Sequence, residues 1–222
     1  MNRFEEALRE LAGVTPRDGI RMQKELRRRV SRSWDGREVR SLAGADVHFP
    51  SRKRARAAVV LLSYPELEPI EESVHEGPVS FPYVPGLLSF REIPSILEAM
   101  RGLKGRPDLL LCDGQGIAHP RGLGLASHLG LIIGTPTIGC AKSPLYGEFE
   151  EPSPTKGSRS PIRDPRGRTI GAVLRTRDDV RPLFVSVGHR IDLRTALRLV
   201  LASTPRYRIP EPLRAAHRLA GG

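Results

Sequence analysis

Cysteine is scarce in this 222-residue chain: only Cys112 and Cys140 occur, each inside an apolar stretch and neither with a second ligand at metal spacing. That excludes a disulfide framework and leaves a zinc site without support, so both read as reduced core residues. Long hydrophobic runs are also missing, and no stretch approaches the ~18 apolar residues of a membrane span. Met1–Glu10 alternates acidic, basic and apolar groups, unlike the basic head and apolar middle of a signal peptide. The expectation is a soluble, cytoplasmic protein with no membrane partner. Acidic residues are in deficit, 25 Asp+Glu against 36 Lys+Arg, which sets the net charge at +11. Such a surface favours a polyanionic partner, nucleic acid or an anionic membrane, although a generally basic solvated surface has the same composition.

What is present suits one domain over residues 1–222, with a basic helical segment at about 1–35 and a monomer as the default state. No internal repeat occurs. Thr15 caps a helix over Thr15–Val30 that opens with Pro16 and becomes strongly basic. Leu42–Phe49, Ala55–Leu62 and Val74–Phe81 are β-leaning runs separated by turn residues, as in an antiparallel meander. Ile93, Ile96, Leu97 and Met100 then recur at helical spacing. Leu109–Cys112 and Thr137–Ala141 read as buried strands around a helix over Leu123–Ile133. Ser143–Arg168, rich in Pro, Gly, Ser and charge, reads as a long loop. Strands over Ile170–Leu174 and Leu183–Val187 and helices over Leu193–Leu201 and Glu211–Leu219 complete the chain. Antiparallel strands followed by strand–helix alternation point to an α/β fold, a mixed sheet flanked by helices.

Several residues carry potential chemistry. Asp46 lies in the first apolar strand, where a period of two turns its carboxylate away from the face buried by Ala45 and Val47. Alone, such an Asp is ordinarily a strand-edge polar residue. Asp113 ends the run Leu109–Cys112 and precedes Gly114-Gln115-Gly116, at the carboxyl end of a strand where ligands bind in open sheets; it could equally start a turn. Glu92 stands at capping-box spacing from Ser89, so it could simply cap a helix, although Pro94 fits that poorly. Converging carboxylates repel unless a cation neutralises them, and oxygen donors suit Mg²⁺ or Mn²⁺. Such an ion polarises a phosphodiester and activates water. Lys142, after the strand ending at Ala141, could aim at a phosphate or be solvated; His119 and His217 are equally open. Between Pro82 and Pro85, Tyr83 is either an apolar wedge for stacked bases or part of the core.

Taken in order, these segments resemble the endonuclease V family. The resemblance rests on Gly44-Ala45-Asp46-Val47, Pro82-Tyr83-Val84-Pro85-Gly86-Leu87-Leu88, Phe90-Arg91-Glu92, Asp113 through Arg121, Ala141-Lys142-Ser143, Val185 through His189, and Ile209-Pro210-Glu211-Pro212. It runs from about Leu42 to His217, with departures at Val84 and Val187. It implies a ribonuclease H-like fold in which Asp46 and Asp113 bind catalytic Mg²⁺, with Mn²⁺ able to substitute, and Glu92 completes the acidic cluster directly or through water. It places Lys142 beside the scissile phosphate, has His217 close the site, and makes Tyr83 the wedge that fills the gap left by a flipped base. Pro82, Pro85, Gly86, Leu88, Arg91, Gly114, His119 and Arg121 fall in the motifs that line the substrate. The implied reaction is hydrolysis of the second phosphodiester bond 3′ to a deaminated purine, chiefly deoxyinosine in DNA, leaving 3′-hydroxyl and 5′-phosphate ends. Two other readings stand beside it: inosine-containing RNA as the main substrate, and a non-catalytic nucleic-acid-binding protein relying on charge.

Overall fold

A computed structural model describes residues 3–221. The N-terminal residues Met1 and Asn2, part of the segment read for a signal peptide, lie outside the described residues, as does Gly222. Three strands, β1 (Ser41–Ser51), β2 (Arg54–Ser63) and β3 (Pro69–Pro78), form an antiparallel meander. β1 then pairs in parallel with β4 (Leu109–Cys112), and β4 with β5 (Thr137–Ala141). β6 (Arg159–Arg163), β7 (Thr169–Leu174) and β8 (Leu183–His189) add an antiparallel half, giving the order β3-β2-β1-β4-β5-β8-β7-β6. This is the ribonuclease H-like mixed sheet that the motifs imply.

Helices cover both faces. α3 (Leu88–Arg101) and α4 (Leu125–Ile133) pack against Ala43, Ala45, Leu110 and Cys112 on one side, with α1 (Arg3–Leu11) lying on those two helices. On the other, α5 (Leu193–Ala202) and α6 (Glu211–Ala220) cover Leu42, Leu109, Leu111 and Cys140. Successive residues of β4 therefore enter opposite cores, which is why its sequence is apolar throughout and not alternating. Cys112 and Cys140 are buried and unpaired, as the sequence suggests. Among the described residues no helix is long and apolar enough to cross a membrane.

Thr15 does begin α2 (Pro16–Leu26): its Oγ1 accepts the Asp18 amide at 3.2 Å while Asp18 Oδ2 accepts the Thr15 amide at 3.3 Å. These bonds satisfy donors that a helix start otherwise leaves open. A 3₁₀ turn over Arg27–Arg29 follows, and residues 30–40 contain no helix, so the helical segment expected to about residue 35 stops earlier. Two further readings need correction. The third strand begins at Pro69 and ends at Pro78, not Val74–Phe81, because its first half, with exposed Ile70 and Glu72 around Glu71, carries no buried apolar face to read. The expected loop Ser143–Arg168 contains β6, an edge strand whose Ile162 alone is buried. Its Pro161 and charges suit an edge and disguise it in the sequence.

His128 of α4 is buried between the helices, its Nδ1 3.1 Å from Ser89 Oγ and its ring 5.0 Å from that of Phe90. Burial pulls its pKa from 6.5 down to about 4. The unfolded chain therefore takes up a proton between those values that the folded chain refuses, and stability falls as pH drops through that window. His128→Gln is expected to flatten the dependence of unfolding free energy on pH between 6.5 and 4 by up to about 1.4 kcal/mol per pH unit. Urea titrations of both proteins across the window check this; parallel slopes would show that His128 titrates normally.

Candidate active site

The middle of β1 lies beside the carboxyl ends of β4 and β5, since Ala45 pairs with Cys112 and Cys112 with Gly139. Asp113 follows β4 directly, and its amide donates to the Ala45 carbonyl at 3.4 Å, so it begins where Asp46 extends the neighbouring strand. Lys142, one residue past β5, reaches Asp113 with its Nζ 2.5 Å from Oδ2. From the opposite side of Asp46, His217 of α6 places Nδ1 2.8 Å from Oδ2. The Asp46 carboxylate thus leaves the Ala45 face, as a period of two requires, and meets the helix that covers the other core.

Glu92 enters from α3 and is only 8 % exposed. It does not cap that helix: α3 starts at Leu88, its N-cap Leu87 has no side-chain cap bond, and Ser89 faces His128 instead. Burial raises the Glu92 pKa well above the ordinary range, reinforced by the charges of Asp46 and Asp113. Asp113 is likewise raised by burial and by Asp46, with the Lys142 ammonium opposing. The charged forms of Glu92 and Asp113 are thus disfavoured by burial and by neighbouring carboxylates in a partly dry site, the situation a hard divalent cation relieves. Among the described residues no three His, Cys, Asp or Glu side chains are already drawn in to ligating distance. The donor set fits such an ion chemically, while side-chain closure would have to complete the coordination.

Beside the acids lies a cleft of about 420 Å³, bordered by Tyr83, Gly86, Leu88, Asp113, Gly114 and Lys142. Its size is that of a small-ligand pocket. Tyr83 stands at the rim with 73 % of its surface exposed, so it does not pack into the core. The segment after it is a turn: the Leu87 amide donates to the Val84 carbonyl at 2.9 Å, with Pro85 and Gly86 at the centre. Gly86 has φ +77°, the left-handed value that a type II turn requires at this place. The Gly86 carbonyl accepts from His119 Nε2 at 2.9 Å and an Arg121 terminal nitrogen at 2.6 Å. Because His119 Nδ1 accepts the Arg121 amide at 3.1 Å, the proton sits on Nε2. Burial lowers the His119 pKa to about 4, which preserves that neutral tautomer.

The structure brings most of the expected residues together, but not in one role. Arg91 is not on the cleft wall; its guanidinium donates to the Phe81 and Arg52 carbonyls at 2.7 and 3.0 Å and lies over the Phe49 ring. Pro82 and Arg121 do not line the cleft either. Two glutamines were given no role in the sequence reading, although Gln115 stands inside one of its motifs. Gln23 of α2 lines the cleft, and Gln115 donates to the Ser143 carbonyl at 3.1 Å, tying the loop after β4 to the one after β5. The only hint of Gln23 in the sequence is its position four residues after Gly19, on the same side of the helix.

A protein-family model described as Endonuclease V matches residues 24–218. Endonuclease V of Trichormus variabilis is 51% identical over 209 residues, 93% of this chain and 94% of the relative. Among solved structures, endonuclease V of Streptomyces avermitilis is 45% identical with a TM-score of 0.88, covering 93% of this chain and 92% of that one. Endonuclease V of Ciona intestinalis, solved with a 24mer DNA containing an inosine followed by a ribo-adenosine, is 30% identical with a TM-score of 0.79. That alignment covers 90% of this chain and 93% of the other.

Proposed function

Because the chain belongs to the endonuclease V family, and is therefore a nuclease acting on nucleic acids, we propose that it nicks DNA near deaminated purines, chiefly deoxyinosine. The cut falls at the second phosphodiester bond 3′ to the lesion and leaves 3′-hydroxyl and 5′-phosphate ends. The observation that carries this reading is the juxtaposition of the acidic cluster and Lys142 with a base-sized cleft whose rim bears an exposed Tyr83. The inosine-containing DNA bound by the Ciona relative supports the choice of lesion.

Asp46 and Asp113 hold the divalent ion, Mg²⁺ or Mn²⁺, and Glu92 completes its surroundings directly or through water. When bound, that ion supplies Lewis-acid activation of the phosphate and of the attacking water. The chain's own groups do the rest. Lys142 neutralises charge on the phosphate oxygens next to Asp113, and His217 orients the Asp46 carboxylate through its 2.8 Å contact. Tyr83 stacks into the gap left by the everted base. Extrusion costs a few kcal/mol, least for a weakly paired base such as hypoxanthine, and stacking returns roughly 1–3 kcal/mol. Discrimination therefore begins before the cleft reads the base. The +11 charge holds the flanking phosphates.

End-labelled duplex DNA with one inosine, incubated with and without Mg²⁺, tests the reading. A single metal-dependent nick at the stated bond is expected. No nick at all, or base release without strand cleavage, overturns it; matched inosine RNA in the same assay settles the preferred backbone. Tyr83→Ala is expected to weaken inosine-DNA binding about tenfold, the loss of one stacked base. Unchanged affinity and unchanged preference over adenine DNA would remove the wedge.

A further inference from the structure

Gln23 is 1% exposed, on the inner side of a helix whose Arg17, Arg21 and Lys24 are exposed. A buried amide is tolerated only when its hydrogen-bonding groups are met. Here they are met by the cleft's own loops. Gln23 Nε2 donates to the Gly86 carbonyl at 2.9 Å, across 63 residues, and to the Leu123 carbonyl at 3.0 Å, across 100. Its Oε1 accepts from Arg121 Nε at 2.5 Å. Arg121 in turn donates to the Gly86 carbonyl, so glutamine, arginine and carbonyl form a closed ring.

We propose that Gln23 is a positioning residue for lesion recognition, bracing the Val84–Leu87 turn that presents Tyr83 and linking it to the loop before α4. The proposal rests on the inosine-nuclease reading above and assigns to α2 a part in it. Three donors converge on one carbonyl, from Gln23, His119 and Arg121. That carbonyl belongs to the one residue of the turn with positive φ, and the turn directly follows Tyr83. Two of the donors come from the 119–121 segment. Gln23 is the third and comes from a separate helix, whose Gly19 lies against the Phe90 ring of α3. The turn is thereby referenced to the helical layer and not only to its neighbouring loop. Gln23 touches no reacting group; it acts through the turn.

Two measurements on the full chain decide this. First, hydrogen exchange of the DNA-free protein: Gln23→Leu is expected to speed exchange of the Leu87 amide and its neighbours in the turn at least tenfold, with the β4 amides unchanged. Second, a double-mutant cycle with inosine DNA. Gln23→Leu alone is expected to raise Kd roughly tenfold, the effect of losing one to two buried hydrogen bonds. In the Tyr83→Ala background it should add less than twofold, because the wedge it positions is already gone. A full tenfold loss in both backgrounds, or unaltered exchange in the turn, overturns the proposal. If Gln23→Leu does not fold, Gln23→Glu, which keeps the acceptor for Arg121 and removes both donors, is judged by the same two outcomes. Failure of the parent protein to prefer inosine DNA sinks the nuclease reading, and the exchange experiment still decides whether Gln23 braces the turn.

Discussion

Replacing Asp113 by alanine is expected to lower metal-dependent nicking of inosine DNA by roughly a thousandfold or more while lesion binding persists. A thousandfold corresponds to about 4 kcal/mol of transition-state stabilisation, within what a Lewis-acidic ion and its ligands supply. Binding should survive for an electrostatic reason. Lys142 now spends its charge on Asp113, at 2.5 Å, and without that partner it is free to meet a phosphate. Asp46→Ala is expected to behave similarly, with His217 losing its 2.8 Å partner. Single-turnover cleavage in Mg²⁺, beside a binding titration in EDTA, separates the two effects. Undiminished nicking by either variant would mean that the acidic cluster is not the catalytic centre.

Gly44→Ala is expected to damage stability and activity together. A Cβ at Gly44 would lie 2.1 Å from the Pro212 carbonyl oxygen and 2.6 Å from the Leu213 nitrogen, inside the backbone of α6. Neither contact is with a flexible side chain, so α6 must retreat from β1. Overpacking of this kind costs about 3 kcal/mol, equivalent in a chain of this size to a fall in Tm of roughly 6–12 °C. His217 sits further along the same helix, and its hold on Asp46 depends on that close approach. Calorimetry and a cleavage assay on the variant check both parts. A Tm within about 2 °C of the parent, with full activity, would show that α6 does not need this contact.

The sheet's central strands were legible in the sequence because the cores on both faces demand it. Leu109–Cys112 and Thr137–Ala141 are buried on both faces, and their apolar runs end where the strands end. The spacing of the helical positions, the Thr15 cap and the motif residues Asp46, Asp113 and Lys142 were equally readable. Net charge alone left nucleic acid, an anionic membrane and a merely solvated basic surface open, and the motif resemblance chose among them. Elements whose stability comes from pairing at an edge were not readable: β6 shows a single buried apolar residue, Ile162. Local spacing misled at Glu92, whose distance from Ser89 matches a cap, and it was the resemblance that grouped it with Asp46 and Asp113, which lie on other elements. Gln23 and Gly86 meet across 63 residues, and no local pattern records such a contact. Local propensity and burial periodicity are properties of neighbouring residues, so the sequence determined the strands, helices and charge of this protein. The approach of α6 to β1, the bracing of the Tyr83 turn and the crowding of Glu92 and Asp113 beside Asp46 arise between distant segments, and only the packed tertiary structure decided them.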